Sequence, residues 1–238
     1  MNKFNNFLER VAEYNLSLSE LQLNQFETYY KLLIETNQVM NLTAITEWDE
    51  VLEKHFLDSL AIAMVREDLH QGLKVMDMGT GAGFPGIPLK IVFPELEITL
   101  SDSLNKRVIF LQKVIEELKL KNISAIHSRA ENLAKELAYR EKYDLLVSRA
   151  VANLSTLAEY CLPFVRSGGE FISYKSGDCD EEVAAAEKAV HILGGNIREV
   201  KKFQLGESGR AFVIIDKVRA TPKKFPRKAG TPSKEPLT

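Results

Sequence analysis

The hydrophobic rhythm of the chain changes near residue 65. Before it, apolar positions recur three and four apart. Phe4, Phe7, Leu8 and Val11 fall at i, i+3, i+4 and i+7, a spacing that gathers them on one helical face. Ser17-x-x-Glu20 and Ser19-x-x-Gln22 form overlapping capping boxes ahead of a second helix with Phe26, Tyr29, Tyr30, Leu33 and Ile34. Thr46 is placed to cap a third helix through Val51, Leu52, His55 and Phe56, and Met40-Asn41-Leu42-Thr43 reads as the connector. From residue 73 short apolar runs alternate with helical periods. Strands are predicted at 73–78, 97–102, 122–127, 143–148, 168–174, 197–204 and 210–217, and helices at 85–93, 105–119, 131–138, 153–162 and 179–193. Such alternation predicts an α/β fold with a mainly parallel, doubly wound sheet. Gly206-Glu207-Ser208-Gly209 is too short for a helical crossover, so the last two strands are expected to pair antiparallel. Three regions follow: helices over 1–64, a core over 65–218, and a tail over 219–238.

The turn after the first strand adds the most specific pattern. Lys74-Val75-Met76 runs into Asp77, and Gly79, Gly81 and Gly83 follow at alternate positions before Pro85, which is suited to open a helix. This acid-x-Gly-x-Gly-x-Gly form resembles the cofactor loop of class I S-adenosylmethionine (SAM) methyltransferases. A parallel sheet that ends in an antiparallel hairpin is also similar to that Rossmann-like fold. Gly81-Ala82-Gly83-Phe84-Pro85-Gly86 also fits the dinucleotide fingerprint G-x-G-x-x-G. That fingerprint, however, starts directly after its strand, and the register from Gly79 puts Phe84 at the sixth position. SAM has no phosphate to cradle, and an apolar ring beside the loop suits it better.

Composition narrows the setting. At 238 residues the chain can bury one substantial core. It has no apolar run of membrane-spanning length, and MNKFNNFLER is not a signal or transit peptide. Cys161 and Cys179 are too few for a disulfide framework, and no Cys/His cluster has zinc spacing. A cytoplasmic protein without metal, acting as a monomer away from membranes, is expected. The net charge of −2 is uneven. Residues 217–238 carry seven basic side chains against Glu235 alone, a charge of +6, which leaves −8 on the rest. The tail reads either as a contact for a polyanion or as a solvated end rich in proline. It is expected to serve RNA rather than the fold.

In such sheets ligands sit beyond the carboxyl ends of the strands. Strand one exits into Gly79, Gly81 and Phe84, and strand two exits at Asp102, whose carboxylate can accept both ribose hydroxyls of an adenosine or cap the next helix. Strand three exits before Ala130 and Glu131, where a backbone amide can read an adenine edge while Ser128 and Glu131 form a capping box. Strand four exits at Ser148-Arg149-Ala150-Val151. The Asn/Asp-Pro-Pro-aromatic turn that holds an exocyclic amine is absent there, as is the cysteine that carbon-5 methylation needs. Guanine N7, with a free lone pair and no proton to lose, fits what remains. Arg149 can offer its fork to a guanine edge, a phosphate or the SAM carboxylate, or can form a structural ion pair. Lys175, at the exit of strand five, can meet RNA phosphate or be a plain surface lysine. His55, on an apolar helix face with Asp58 one turn on, reads as a semi-buried histidine, and no residue is assigned as catalyst.

Together MNLTAI (40–45), HFLDSL (55–60), DMGTGAGFPGIPL (77–89), SDSLNKR (101–107), SRAE (128–131), SRAVANL (148–154) and PRKAGTPSKEPL (226–237) resemble the bacterial 16S ribosomal RNA guanine-N7 methyltransferase family, formerly glucose-inhibited division protein B. The family often has a Lys-Gly pair where this chain reads Lys175-Ser176-Gly177. The resemblance implies SAM as methyl donor, with contacts at Gly79, Phe84, Ala130, Glu131 and Arg149. It implies 16S ribosomal RNA or the small ribosomal subunit as partner, with Arg227 and Lys228 in RNA binding. An RNA-binding protein holding SAM as a structural ligand, or a methyltransferase for another substrate, stays open beside it.

Overall fold

The computed structural model describes residues 3–149 and 152–238. Seven strands form one sheet: β1 (Lys74–Met78), β2 (Glu97–Asp102), β3 (Ile123–His127), β4 (Tyr143–Arg149), β5 (Val165–Ser176), β6 (Gly195–Leu205) and β7 (Ser208–Lys217). Their order is β3-β2-β1-β4-β5-β7-β6, parallel from β3 through β5 and antiparallel where β7 joins β5 and β6. The order reverses between β1 and β4, where a crevice opens beyond the strand ends in such folds.

The amino-terminal third folds as its periodicity dictates. Helix α1 (Asn5–Ala12) buries Phe7 and Val11, and α2 (Glu20–Met40) buries Phe26, Tyr29, Leu32 and Leu33. Of the two capping boxes, Ser19 with Gln22 is the one that forms, each side chain meeting the other's backbone N–H. The third helical stretch starts one residue later than expected. Glu47 precedes α3 (Trp48–Val51), without a side-chain cap, and Thr46 offers its carbonyl to the Tyr30 hydroxyl. It then widens into a π turn over Leu52–Leu57 before α4 (Asp58–Leu60). These helices share one apolar core with a face of the sheet, so region 1–64 is packed into the core rather than standing apart.

On that same face lie α5 (Gly86–Val92) and α6 (Asn105–Glu117). The opposite face buries α7 (Ala130–Leu133), α8 (Leu154–Cys161) and α9 (Asp180–Ile192) with Met76, Leu146, Phe171 and Val213. Helix α7 is shorter than expected because the chain turns back through Arg140, which donates to the carbonyls of Ala134, Thr221 and Phe225.

The tail overturns the expectation of a segment detached from the fold. Thr221, Phe225 and Pro232 are buried, and Phe225 joins the core of the second face. Arg227 is held by the fully buried carboxylate of Glu159, its Nη2 2.7 Å from Oε2 and its Nε 3.0 Å from Oε1. A short helix, α10 (Thr231–Lys234), docks on α8 through Thr156, whose hydroxyl donates to the Pro232 carbonyl at 3.0 Å. Charge and proline content concealed this because the outer face is what they describe. Lys223, Lys224, Lys228 and Lys234 are exposed.

Candidate active site

The glycine loop is fixed from beneath by one carboxylate. Asp77 is fully buried, and its Oδ2 accepts from the Thr80 hydroxyl at 2.6 Å and the Gly86 amide at 2.8 Å. A Cβ on Gly86 would lie 2.8 Å from that oxygen and 2.3 Å from Leu100, so only glycine admits the approach. Gly79, Gly81 and Gly83 all have left-handed φ, +71°, +62° and +107°, which explains their alternate spacing. The Tyr29 hydroxyl donates to the Ala82 carbonyl at 2.5 Å, so α2 helps hold the loop from the side. Burial pushes the Asp77 carboxyl up to about 7, and its Oδ1 has no hydrogen-bond partner within the protein.

Beyond the ends of β1, β2 and β3 lies a cavity of about 380 Å³, within the range of small-molecule sites. Its lining includes Gly79, Asp102, Ala130 and Glu131, four residues read from the sequence, together with Ser101, Arg107, Tyr160, Gly230 and Ser233, which were not. Asp102 does the cap-like work considered for it. Its Oδ1 accepts from the Leu104 amide at 2.9 Å, and its Oδ2 accepts from the Gly81 amide at 3.0 Å and Arg107 at 3.3 Å. A carboxylate has about four acceptor positions, so these three bonds leave capacity on Oδ1. Gly81 thus meets Asp102 and stands outside the lining. Ala130 and Glu131 are the first two residues of α7, where amides meet no intrahelical carbonyl. Ser101 borders the cavity, and its fully buried hydroxyl has no partner in the protein. Adenosine, with ribose hydroxyls and a flat base, suits these donors and acceptors.

Phe84 and Arg149 lie elsewhere. Phe84 is buried between the Tyr29 ring, 5.4 Å between centroids, and the His55 ring, 4.5 Å away and stacked. Arg149 places its guanidinium 4.9 Å over Phe84. It donates to Asp58 Oδ2 at 2.7 Å, to the Lys54 carbonyl at 3.2 Å and to His55 Nδ1 at 3.3 Å. Arg210 grips the same Asp58 with two bonds of 2.7 Å. Because an arginine only donates, His55 Nδ1 accepts, and its Nε2–H donates to the Thr43 hydroxyl at 2.8 Å. Burial, then the Arg149 charge, holds the His55 pKa down to about 4, so the ring is neutral near pH 7. Sequence reading separated these residues. The MNLTAI and HFLDSL stretches carry the signal, since Thr43, His55 and Asp58 are their polar members.

Lys175 donates to Glu182 at 2.6 Å and to the Ala152 carbonyl at 2.8 Å, and its side chain is 11% exposed. Lys228 is exposed. Ala150 and Val151, part of the strand-four exit, lie outside the described residues. Neither cysteine reaches that exit as a reactive thiol: both are buried, and burial pushes the Cys161 thiol well up. Among the described residues no group of three or more His, Cys, Asp or Glu is placed to hold a metal, and no helix is long and apolar enough to cross a membrane.

Known proteins share this architecture. A 16S rRNA (adenine(1408)-N(1))-methyltransferase from Catenulisporales acidiphilia superposes with a TM-score of 0.54 at 12% identity, covering 66% of this chain and 91% of that one. TrmN from Thermus thermophilus superposes with a TM-score of 0.51 at 14% identity, covering 70% and 53%. At such identities the likeness concerns the fold. Sequence likeness goes further. A family model described as rRNA small subunit methyltransferase G matches residues 22–212. The ribosomal RNA small subunit methyltransferase G of Lachnoclostridium phytofermentans is 53% identical over 233 residues, 97% of this chain and 96% of that one. Its namesake from Staphylococcus aureus (strain Newman) is 51% identical over 231 residues, 96% of each. On this breadth of match, the chain belongs to the rRNA small subunit methyltransferase G family.

Proposed function

We propose that the chain methylates N7 of one guanine in 16S ribosomal RNA, within the small subunit or its RNA, with SAM as donor. The observation that carries the cofactor assignment is the cavity lined together by Gly79, Asp102, Ala130 and Glu131. When bound there, SAM supplies an electrophilic methyl group on a sulfonium. In this reading Asp102 holds the ribose, and the amides of Ala130 and Glu131 face the adenine. Gly79, Gly81, Phe84 and Arg149 would hold the methionine end.

N7 chemistry asks little of acid or base. Its lone pair takes the methyl as the sulfur–methyl bond breaks, no proton leaves, and the positive charge passes from the sulfonium to the guanine ring. Alignment and exclusion of water are then the main tasks. A neutral His55, packed on Phe84 and bonded to Thr43, is consistent with a site that moves no proton. We assign RNA phosphate contacts to Lys228 and the neighbouring exposed lysines. We assign Lys175 and Arg227, each bonded to a carboxylate, to the edges of that RNA surface. In this reading the enzyme works in the cytoplasm, as a monomer.

The test is methyl transfer from labelled SAM to 16S RNA and to small subunits, followed by borohydride and aniline treatment, which cuts at 7-methylguanosine. One discrete cut is expected. Incorporation without cleavage moves the methyl to an exocyclic amine or ribose oxygen. SAM binding without incorporation leaves an RNA-binding protein that holds SAM as a structural ligand.

A further inference from the structure

The tail reaches the cavity through a chain of anchors. Arg140 holds the carbonyls of Thr221 and Phe225 at 2.9 and 3.0 Å. Arg227 meets buried Glu159, and Thr156 meets the Pro232 carbonyl. Between the last two anchors the Gly230 amide donates to Glu131 Oε1 at 2.9 Å. Gly230 and Ser233 consequently line the same cavity as Glu131, Ser101 and Tyr160, and the Ser233 hydroxyl bonds to the Gly230 carbonyl at 3.1 Å.

Glu131 is 4% exposed. A carboxylate so far from water needs hydrogen-bond donors to stay in place, and a donor to it comes from 99 residues away in sequence. Without residues 230–238 that carboxylate would face solvent, and the wall that Gly230 and Ser233 supply would be missing.

We propose that residues 230–233 are part of the cofactor site: they wall its adenine side, and the Gly230 amide positions Glu131 against the base. This deepens the reading of the cavity as the SAM site and rests on it. Residues 230–233 are positioning and binding elements; the reacting methyl lies elsewhere.

Hydrogen exchange on the full chain, with and without SAM, tests the assignment. Slowed exchange is expected at the amides of Gly230, Lys234 and Glu235, which are all hydrogen-bonded within this segment or to Glu131, and at Gly79 to Gly81. Protection of the glycine loop with none at 230–235 overturns the tail's role and keeps the cavity as the SAM site. Absence of protection everywhere, with no heat of SAM binding, overturns the cavity assignment itself. A chain ending at Ala229 keeps the Arg227–Glu159 pair and adds a second readout. Its SAM dissociation constant should rise about tenfold, as expected for losing a hydrogen bond to a charged group. An unchanged constant in a protein that retains its thermal midpoint refutes the proposal.

Discussion

The carboxyl edge of the sheet is built in two contrasting ways. At the exits of β1, β2 and β3 polar groups line a cavity. The buried Ser101 hydroxyl has no partner, and Asp102 retains acceptor capacity. At the exit of β4, the end of β5 and the start of β7, cations meet carboxylates: Arg149 and Arg210 meet Asp58, and Lys175 meets Glu182. The first half is preorganised for a small ligand. The second is a frame of ion pairs in which Asp58 ties the amino-terminal helices to β4 and β7. The contrast shows how one sheet edge carries a polar cavity and, from the next strand exit onward, a set of ion pairs.

The frame gives the largest effect. Asp58→Ala leaves two guanidinium groups without their shared carboxylate, whose side chain is 1% exposed. Breaking a buried pair this way costs about 3–5 kcal/mol. Urea unfolding should show that loss. A change below about 1 kcal/mol would mean that the two arginines find other partners and that the frame is dispensable.

Beneath the cavity, Asp77 makes a pH-dependent contribution of opposite sign to an ordinary paired carboxylate. Its pKa rises from 3.8 to about 7 in the folded chain. The folded state therefore holds the proton that the unfolded state has released. The contribution is full below pH 3.8 and disappears as pH rises through about 7, with a limiting slope of about −1.4 kcal/mol per pH unit between them. Stability of Asp77→Asn relative to the parent should then climb from pH 5 to 7 and level off above. Parallel stability curves across that range would show that Asp77 is ionised in the fold.

Asp102→Ala tests the ligand side. It removes the acceptor that ties the Gly81 loop to α6 and, in the proposed pose, the ribose contact. Charge-assisted bonds of this kind contribute about 1.5–3 kcal/mol, so SAM affinity should fall roughly tenfold to a hundredfold. Calorimetry showing unchanged SAM affinity and only a lower thermal midpoint would leave Asp102 as a cap.

What the sequence made legible and what it hid follow the same divide. The glycine loop, Asp102 and Ala130-Glu131 could be placed because strand, turn and helix signals are local, and each strand exit lies within a few residues of its strand. The sheet, with its antiparallel hairpin, followed from the same signals. Asp58 pairs with Arg210 across 152 positions, and Arg227 with Glu159 across 68. No local period encodes such pairs, so His55 read as an isolated semi-buried histidine and the tail as a charged end. The expected β5 began at 168, whereas the strand starts at Val165, three residues earlier, and runs through Gly168 at a φ of +81°. Ser101 and Arg107 were within a quoted motif, but nothing in their spacing said which would face a ligand.

The smallest effect lies in the tail, and it separates the two kinds of cation within one segment. Lys223, Lys224, Lys228 and Lys234 are exposed, whereas Arg227 is bonded to a fully buried carboxylate. Changing Lys228 to Gln should weaken RNA binding and flatten its salt dependence by roughly 0.7–0.9 log units, the counterion release of one phosphate contact. SAM affinity should hold, because the side chain is exposed and does not line the cavity. Arg227→Gln should do the reverse: it strands the Glu159 charge in the interior, lowers the unfolding free energy, and leaves the salt slope near that of the parent. Binding isotherms at three or more salt concentrations decide between them. Equal slopes for Lys228→Gln and the parent would remove this lysine from the RNA surface. A flatter slope for Arg227→Gln at unchanged stability would show that its guanidinium exchanges Glu159 for phosphate when RNA arrives, and that the boundary between frame and handle moves on binding.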